Sequence, residues 1–288
     1  MSAPPTVPAP MTLDDYLALR GPAPSATFAY GSAPSQYAEL FRPHGAGPFP
    51  VALLVHGGCW SVRFGGIEQM RHLAGALAAA GVAVWNVEYR RADEDGGGYP
   101  GTYLDLHAAL DLLAAEAPRQ QLDTGRIVAI GHSAGGQLVQ WIAGRARIPA
   151  TSVLCRATPP PVREIISLGG LADLRAEQAL IAASCGRTTA QLAGLPSPSR
   201  PDVFADTNPA ELLPNGSRTV LITGEHDTIA PPRAARAYAA RARAAGDRAE
   251  VHIVPGASHY DEVSTGSAVW PVLRAAIARA LGMANLSS

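Results

Sequence analysis

The sequence predicts an α/β fold with a mostly parallel, doubly wound sheet flanked by helices. Strand-like and helix-like patterns alternate from residue 51 onward, as they do in chains of parallel βαβ units. The strand candidates at 51–56 and 82–89 are largely apolar runs, which is typical of strands covered on both faces. A third apolar run at 127–130 ends in a glycine-rich turn, and a helical pattern follows it at 137–147. These observations favour one large α/β domain.

The other elements are predicted from the same patterns of apolar residues and turn residues. Early strands are expected between residues 27 and 43, and later strands at 165–168, 219–223 and 250–254. Helices are expected at 11–20, 66–80, 103–117, 175–183, 233–245 and 268–281. We expect an N-terminal segment at 1–29, disordered over about its first ten residues, and the domain itself at 30–288. Residues 172–217 interrupt the alternation and predict a cap-like insertion over the carboxyl edge of the sheet.

Composition limits the classes of function. The net charge of -1 provides no basic surface for nucleic acid or for a membrane. The N-terminus has no signal-peptide pattern, and no apolar run reaches the ~20 residues that span a bilayer. The three cysteines form no C-x-x-C pair, and their odd number argues against a disulfide framework. We therefore expect a cytoplasmic protein that acts on a small molecule, with no metal and no cofactor; a homodimer stays open.

The stretch Gly131-His132-Ser133-Ala134-Gly135 matches G-x-S-x-G, the sharp turn that presents a nucleophilic serine between a strand and a helix. We expect a strained backbone at Ser133, and we expect that a Cβ at either flanking glycine would collide with neighbouring elements. An ordinary glycine-rich turn is the alternative. The flanking strand and helix favour Ser133 as the nucleophile.

The sequence His-Gly-Gly-Cys-Trp at 56–60 follows the first central strand. Backbone N–H groups in such a loop can stabilise a developing oxyanion. We predict an oxyanion hole formed by the N–H groups of Gly58, Cys59 and Ala134, with Gly57 allowing the backbone to approach a substrate. A plain Gly-Gly turn is the alternative.

Two further candidates follow the last two strands. Asp227 lies in a turn after 219–223, where a carboxylate can orient a histidine, and His259 follows 250–254. Glu225 is the competing carboxylate, and a helix N-cap is the alternative role for either acid. A solvated surface residue is the alternative for His259. The order Ser133, Asp227, His259 matches a known order of a catalytic triad, and it favours His259 as the general base.

These motifs together resemble the α/β-hydrolase superfamily over about residues 30–285. The HGG-x-W pattern, with Trp60, resembles the kynurenine formamidase (arylformamidase) branch, whereas the related hormone-sensitive-lipase-like esterases usually have HGGG. The resemblance implies a serine hydrolase acting on an N-formyl arylamine, with the aromatic group against Trp60 or Phe64. Core packing is the alternative role for Trp60. The alternative functions are a carboxylesterase for short acyl esters and a non-catalytic binding module with this fold.

Overall fold

The computed structural model describes residues 9–157 and 161–286. Within them, eight strands form a single sheet. The strands are β1 (Ala26–Ala29), β2 (Tyr37–Phe41), β3 (Phe49–Val55), β4 (Ala83–Val87), β5 (Leu122–His132), β6 (Glu164–Leu168), β7 (Arg218–Gly224) and β8 (Arg248–Val254). The helices are α1 (Leu13–Leu17), α2 (Arg71–Ala79), α3 (Gly101–Gln120), α4 (Ala134–Gly144), α5 (Gln178–Cys185), α6 (Thr189–Ala193), α7 (Pro232–Ala244) and α8 (Val269–Ala280).

The strand order in the sheet is β1-β2-β4-β3-β5-β6-β7-β8. β1 and β2 pair antiparallel with each other, and β2 pairs antiparallel with β4. All the pairings from β4 through β8 are parallel. The carboxyl ends of β3, β5, β7 and β8 therefore point to one edge of the sheet, where α/β proteins place their sites.

Both faces of the sheet are buried, which confirms the predicted fold class. Leu53 on β3 faces one apolar layer, which includes side chains of α3 and α4. Its neighbour Leu54 faces the opposite layer, which includes side chains of α2 and α8. Successive side chains of a strand point to opposite faces, so a strand covered on both sides must be apolar throughout. The continuous apolar runs in the sequence have this cause.

The sheet extends further toward the N-terminus than the predicted domain boundary at residue 30, because β1 begins at Ala26 and pairs with β2. The predicted helix at 11–20 is shorter, with α1 ending at Leu17, and Thr12 caps it through a hydrogen bond from the Asp15 N–H. The disorder expected over about the first ten residues falls mostly on residues 1–8, which lie outside the described residues.

The predicted helix at 137–147 begins earlier, at Ala134, and ends at Gly144. Two glycines at 135 and 136 lower local helix propensity, which is why the pattern places the start after them. Close packing of this first turn against β3 overrides that preference. In the segment predicted as an insertion, α5 and α6 lie between β6 and β7. No helix in the described ranges is long and apolar enough to cross a bilayer.

Candidate active site

Ser133 occupies the sharp turn between β5 and α4. Its backbone has φ 53° and ψ -118°, a region that non-glycine residues rarely adopt. Its N–H donates to the carbonyl of Leu168 on β6 at 2.8 Å, which holds this turn against the neighbouring strand. The structure therefore has the strained backbone that the motif predicts.

The flanking glycines are required by close backbone contacts. A Cβ built at Gly131 would overlap the carbonyl of Gly135, and one built at Gly135 would overlap the carbonyl of Val55 at the end of β3. Both obstacles are backbone atoms, which cannot rotate away. The collisions expected from the sequence are present, and they bring the turn directly against the loop after β3.

His259 follows β8 and pairs with Asp227, which follows β7. The His259 Nδ1–H donates to Asp227 Oδ2 at 2.7 Å, and both residues are buried. Asp227 Oδ1 accepts the N–H groups of Ile229 and Ala230, each at 2.8 Å. Burial by itself raises the pKa of Asp227, but the charge of His259 and these hydrogen bonds lower it below its ordinary value. Asp227 is therefore ionised at neutral pH and orients the imidazole.

Glu225, the competing carboxylate, does not reach the histidine. Its side chain is exposed, and its Oε2 accepts the N–H of Gly256 at 3.0 Å. Of the two acids in this turn, the one that contacts His259 is Asp227.

A second histidine, His132, contacts the backbone of His259. His132 Nε2 lies 3.0 Å from the carbonyl oxygen of His259, and since a carbonyl only accepts, this nitrogen donates. Burial and the neighbouring charge of His259 lower the pKa of His132 to about 3. His132 is therefore neutral, and it holds the backbone of His259 beside the serine turn.

Ser133 and His259 line the same cavity, whose water-accessible volume is about 40 Å³. Most of the lining is apolar or aromatic. The lining residues are Leu13, Tyr16, Gly58, Cys59, Phe64, His132, Ser133, Ser184, Ile229, His259 and Tyr260.

The loop after β3 turns sharply beside this cavity. Gly58, Cys59 and Trp60 all have left-handed φ values, of 99°, 53° and 51°. Within residues 9–157 and 161–286, the N–H groups of Gly58, Cys59 and Ala134 donate to no acceptor. Successive left-handed residues orient N–H groups into a concave anion-binding surface. A Cβ at Gly57 would lie 2.8 Å from the Cβ of Ser133, so this residue permits the close approach of the loop to the serine.

His56, the first residue after β3, anchors this loop through polar contacts and ring stacking. Its Nε2 is 2.7 Å from Glu88 Oε1, and its Nδ1 is 2.7 Å from the carbonyl of Gly57. Its ring stacks on Tyr89 with centroids 4.4 Å apart. Burial raises the pKa of Glu88, but the charge of His56, its hydrogen bond and Arg91 lower it below the ordinary value. The ionised, buried carboxylate of Glu88 thus holds the loop through its contact with His56.

The loop is also tethered by a disulfide and by an arginine side chain. Cys59 forms a disulfide with Cys185 at the end of α5, 126 residues away in sequence. Arg187 donates from Nε to the carbonyl of Cys59 at 3.3 Å and pairs with Asp93 at 2.9 Å. The argument against a disulfide from the odd cysteine count is therefore wrong, because one cysteine, Cys155, stays free while the other two pair. Sequence separation conceals this pairing, since the fold alone brings the residues together.

We expect the double substitution Cys59→Ser, Cys185→Ser to lower the free energy of unfolding by about 2–5 kcal/mol, because the bridge closes a long loop and restricts the unfolded chain. Urea unfolding of the oxidised protein and the variant measures this difference. Adding a reductant should destabilise the wild type alone. Cys155→Ser is the matched control, and equal stability of wild type and double variant would contradict the expectation.

The helix α1 closes the cavity, a role that the sequence analysis missed. Leu13 and Tyr16 line the cavity, and Tyr16 stacks on Tyr260 with ring centroids 5.6 Å apart. The Met11 N–H donates to Asp261 at 3.1 Å, next to the loop that carries His259. An apolar face on this helix was visible in the sequence, but its partner lies about 250 residues away and leaves no local signal.

The predicted substrate contacts divide into two groups. Phe64 lines the cavity. Trp60 is 3% exposed and packs in the core on the side of α3 and α4, and it is not among the lining residues. Contact of Trp60 with a substrate stays a prediction, and the burial of this side chain favours the alternative role, core packing.

One group of potential metal ligands occurs in the part of the chain that the structure describes. Among the described residues, the group of three whose ligand atoms lie within 4.8 Å of one another is His132, His259 and Glu262. An ion bound through His259 Nδ1 would break the 2.7 Å contact with Asp227. The group therefore overlaps the His259–Asp227 pair rather than forming a separate centre.

A strained serine at a strand–helix turn, a buried His–Asp pair and free amides beside one cavity on this sheet define an enzyme of the α/β-hydrolase class. The family model BD-FAE matches residues 39–241, so the chain belongs to that family. A search of curated proteins finds no significant match.

Solved structures with a similar fold include several esterases. A bacterial heroin esterase is 28% identical, with a TM-score of 0.66, covering 85% of this chain and 79% of that chain. Esterase LipW from Mycobacterium marinum is 23% identical, with a TM-score of 0.69 and coverage of 89% and 80%. Esterase B from Lactobacillus rhamnosis is 17% identical, with a TM-score of 0.74 and coverage of 94% and 89%. The last two likenesses are evidence for the fold only.

Proposed function

We propose that this protein is a carboxylesterase that hydrolyses esters of short acyl groups through an acyl-enzyme. The observation that carries the proposal is the small cavity, about 40 Å³, lined by both Ser133 and His259. A cavity of this size favours an acetyl or similarly short acyl group over a long chain. Similarity to a bacterial heroin esterase at 28% identity supports ester hydrolysis.

In the proposed mechanism, Ser133 Oγ attacks the ester carbonyl carbon. His259 accepts the serine proton at Nε2, the nitrogen that does not contact Asp227, and then delivers it to the leaving alkoxide. Asp227 holds the imidazole and stabilises its charged form. A water molecule then attacks the acyl-enzyme with His259 as base, which releases the acid and restores the serine.

The developing oxyanion would be bound by the free N–H groups of Gly58, Cys59 and Ala134. Loss of one donor of this kind typically lowers kcat by about 10²–10³-fold. The anchoring of the loop by His56 and by the disulfide keeps these groups in place before the substrate arrives. A fixed arrangement avoids reorganisation during the reaction, and this is why such donors are effective.

Hydrolysis of N-formyl arylamines is the second candidate. A formyl group is smaller than acetyl and fits the same cavity, and the HGG-x-W pattern favours this reaction. Trp60 packs in the core and is not among the residues that line this cavity, which weakens the case for an aromatic contact. The ester is therefore the better-supported substrate.

We expect kcat/KM for p-nitrophenyl esters to be highest for acetate or propionate and to fall by at least about 100-fold for octanoate, because longer chains meet the walls formed by α1 and Phe64. Steady-state kinetics across the acyl series measures this profile. N-formylkynurenine is assayed alongside. A preference for octanoate would contradict the small acyl pocket, and faster turnover of the formamide would favour the second candidate.

The cytoplasmic location stays a prediction, and the Cys59–Cys185 bridge weighs against it. Reducing compartments keep most protein thiols reduced, whereas oxidising compartments preserve structural disulfides. Thiol counting on protein isolated from its native cell under alkylating conditions measures whether the bridge is formed there, as an oxidising compartment requires.

A further inference from the structure

Glu262 is a buried acid beside the His259–Asp227 pair for which the proposed mechanism has no use. It belongs to a short 3-10 helix, Asp261–Val263, directly after His259, and it is 1% exposed. Its Oε1 accepts the N–H of Gly224, the last residue of β7, at 2.8 Å. Its Oε2 lies 3.9 Å from the Nδ1 of His259. The side chain therefore joins the two segments that carry the histidine and the aspartate.

The second oxygen of Glu262 has no donor directed at it among the described residues. It lies close to Asp227 and His259, with all three side chains beside Gly169. A Cβ built at Gly169 would overlap Glu262 Oε2 and would lie 2.9 Å from both Asp227 Oδ2 and His259 Nδ1. As an ionised oxygen, Oε2 would be a buried charge without a hydrogen bond, which is costly. As a protonated oxygen, it would have the carboxylate of Asp227, on the other side of the same small space beside Gly169, as an acceptor.

Ionisation of one of two buried carboxyl groups that lie close together disfavours ionisation of the other, which favours a state in which the pair retains one proton. Asp227 accepts hydrogen bonds from His259 and from two backbone N–H groups. Glu262 accepts from one backbone N–H. Burial and the charge of Asp227 raise the pKa of Glu262 well above its ordinary value, whereas the pKa of Asp227 is lowered. The shared proton is therefore on Glu262.

The other ionisable groups around Glu262 leave this assignment unchanged. His132, the last residue of β5, has its Nε2 3.9 Å from Glu262 Oε2 and is neutral, since its pKa is lowered to about 3. Asp261, on the same short helix, accepts from Ser258 and Met11 and adds further negative charge. Both features favour the neutral form of Glu262.

We propose that Glu262 is a positioning residue that, as a neutral acid, donates a hydrogen bond to Asp227 and thereby limits how strongly Asp227 holds the His259 imidazolium. This inference rests on the proposed function, in which His259 must both accept and return a proton. A hydrogen bond to the carboxylate spreads its charge, so His259 releases the proton to the leaving group more readily.

Glu262→Leu removes the donor, and Glu262→Gln replaces it with an amide N–H of the same shape. We expect Glu262→Leu to lower kcat about 10-fold with little change in KM, and to move the acidic limb of the kcat/KM pH profile upward by about one unit. Glu262→Gln should recover most of the lost kcat and return the limb to its wild-type position. A downward shift in Glu262→Gln would mean that the native side chain is ionised, and it would overturn the proposal. A wild-type profile in Glu262→Leu would overturn it as well.

A second measurement does not depend on turnover or on the folding of Glu262→Leu. The infrared difference spectrum between wild type and Glu262→Gln at neutral pH should contain the carbonyl band of a protonated carboxyl group. Glu225→Gln, which alters the exposed acid, should not remove that band. Absence of the band from the wild type would overturn the proposal. If the band is present but no substrate is turned over, the proposed function fails while the neutral state of Glu262 stands.

Discussion

Replacing Ser133 with Ala should lower kcat/KM for p-nitrophenyl acetate by at least about 10⁴-fold. The hydroxyl is the proposed nucleophile, and loss of a triad nucleophile leaves only the contribution of binding and of the oxyanion hole. The substitution removes one oxygen and keeps the backbone, so a folded protein with a similar melting temperature is expected. Steady-state kinetics with purified variant measures the loss.

A fluorophosphonate probe provides an independent test of the same residue. Wild type should be labelled on one serine, and Ser133→Ala should not be labelled. Ser184 supplies the matched control, because its hydroxyl belongs to a residue that lines the same cavity. Ser184→Ala should retain the label. Equal labelling of wild type and Ser133→Ala would refute the nucleophile assignment, and absence of labelling in the wild type would favour a non-catalytic binding module.

Replacing Asp227 with Asn should lower kcat by about 10⁴-fold, with little change in the stability of the fold. Asp227 accepts the Nδ1–H of His259, and an asparagine amide can donate in its place and stabilise the wrong tautomer. A loss of this size is expected whenever the imidazole can no longer present an unprotonated Nε2 to the serine. Pre-steady-state kinetics should show the loss in both acylation and deacylation, because His259 is the base in both steps.

Glu225→Gln is the control for this prediction. Glu225 lies in the same turn, is exposed, and interacts with the backbone of Gly256 rather than with His259. We expect its kcat to stay within about threefold of the wild type. If Glu225→Gln lost activity and Asp227→Asn did not, the roles of the two acids would be reversed.

Much of this architecture was readable from local patterns. The runs at 51–56 and 82–89 predicted buried parallel strands, because a strand covered on both faces needs apolar residues on both. The sharp turn at Ser133 was equally clear, since it requires glycine at positions where any side chain would collide with backbone atoms. The order of Ser133, Asp227 and His259 along the chain matched a known pattern, and the structure brings Ser133 and His259 to one cavity, with Asp227 bonded to His259.

Other features had no local signature. The Cys59–Cys185 bridge, the closure of the cavity by α1 and the burial of Trp60 all join residues distant in sequence. A single sequence records the chemistry of each side chain but not which distant segment will lie against it. The early start of α4 belongs to the same class, because packing against β3 outweighed the low helix propensity of its glycines.

Local composition thus specifies strands, turns and the candidate nucleophile, base and acid, since these depend on periodicity and on residues close in the chain. The size of the cavity beside Ser133, the disulfide on the loop after β3 and the position of Glu262 depend on contacts across long separations. Those contacts form only when the sheet assembles. Their stability depends on packing between distant segments, which no short stretch of sequence specifies.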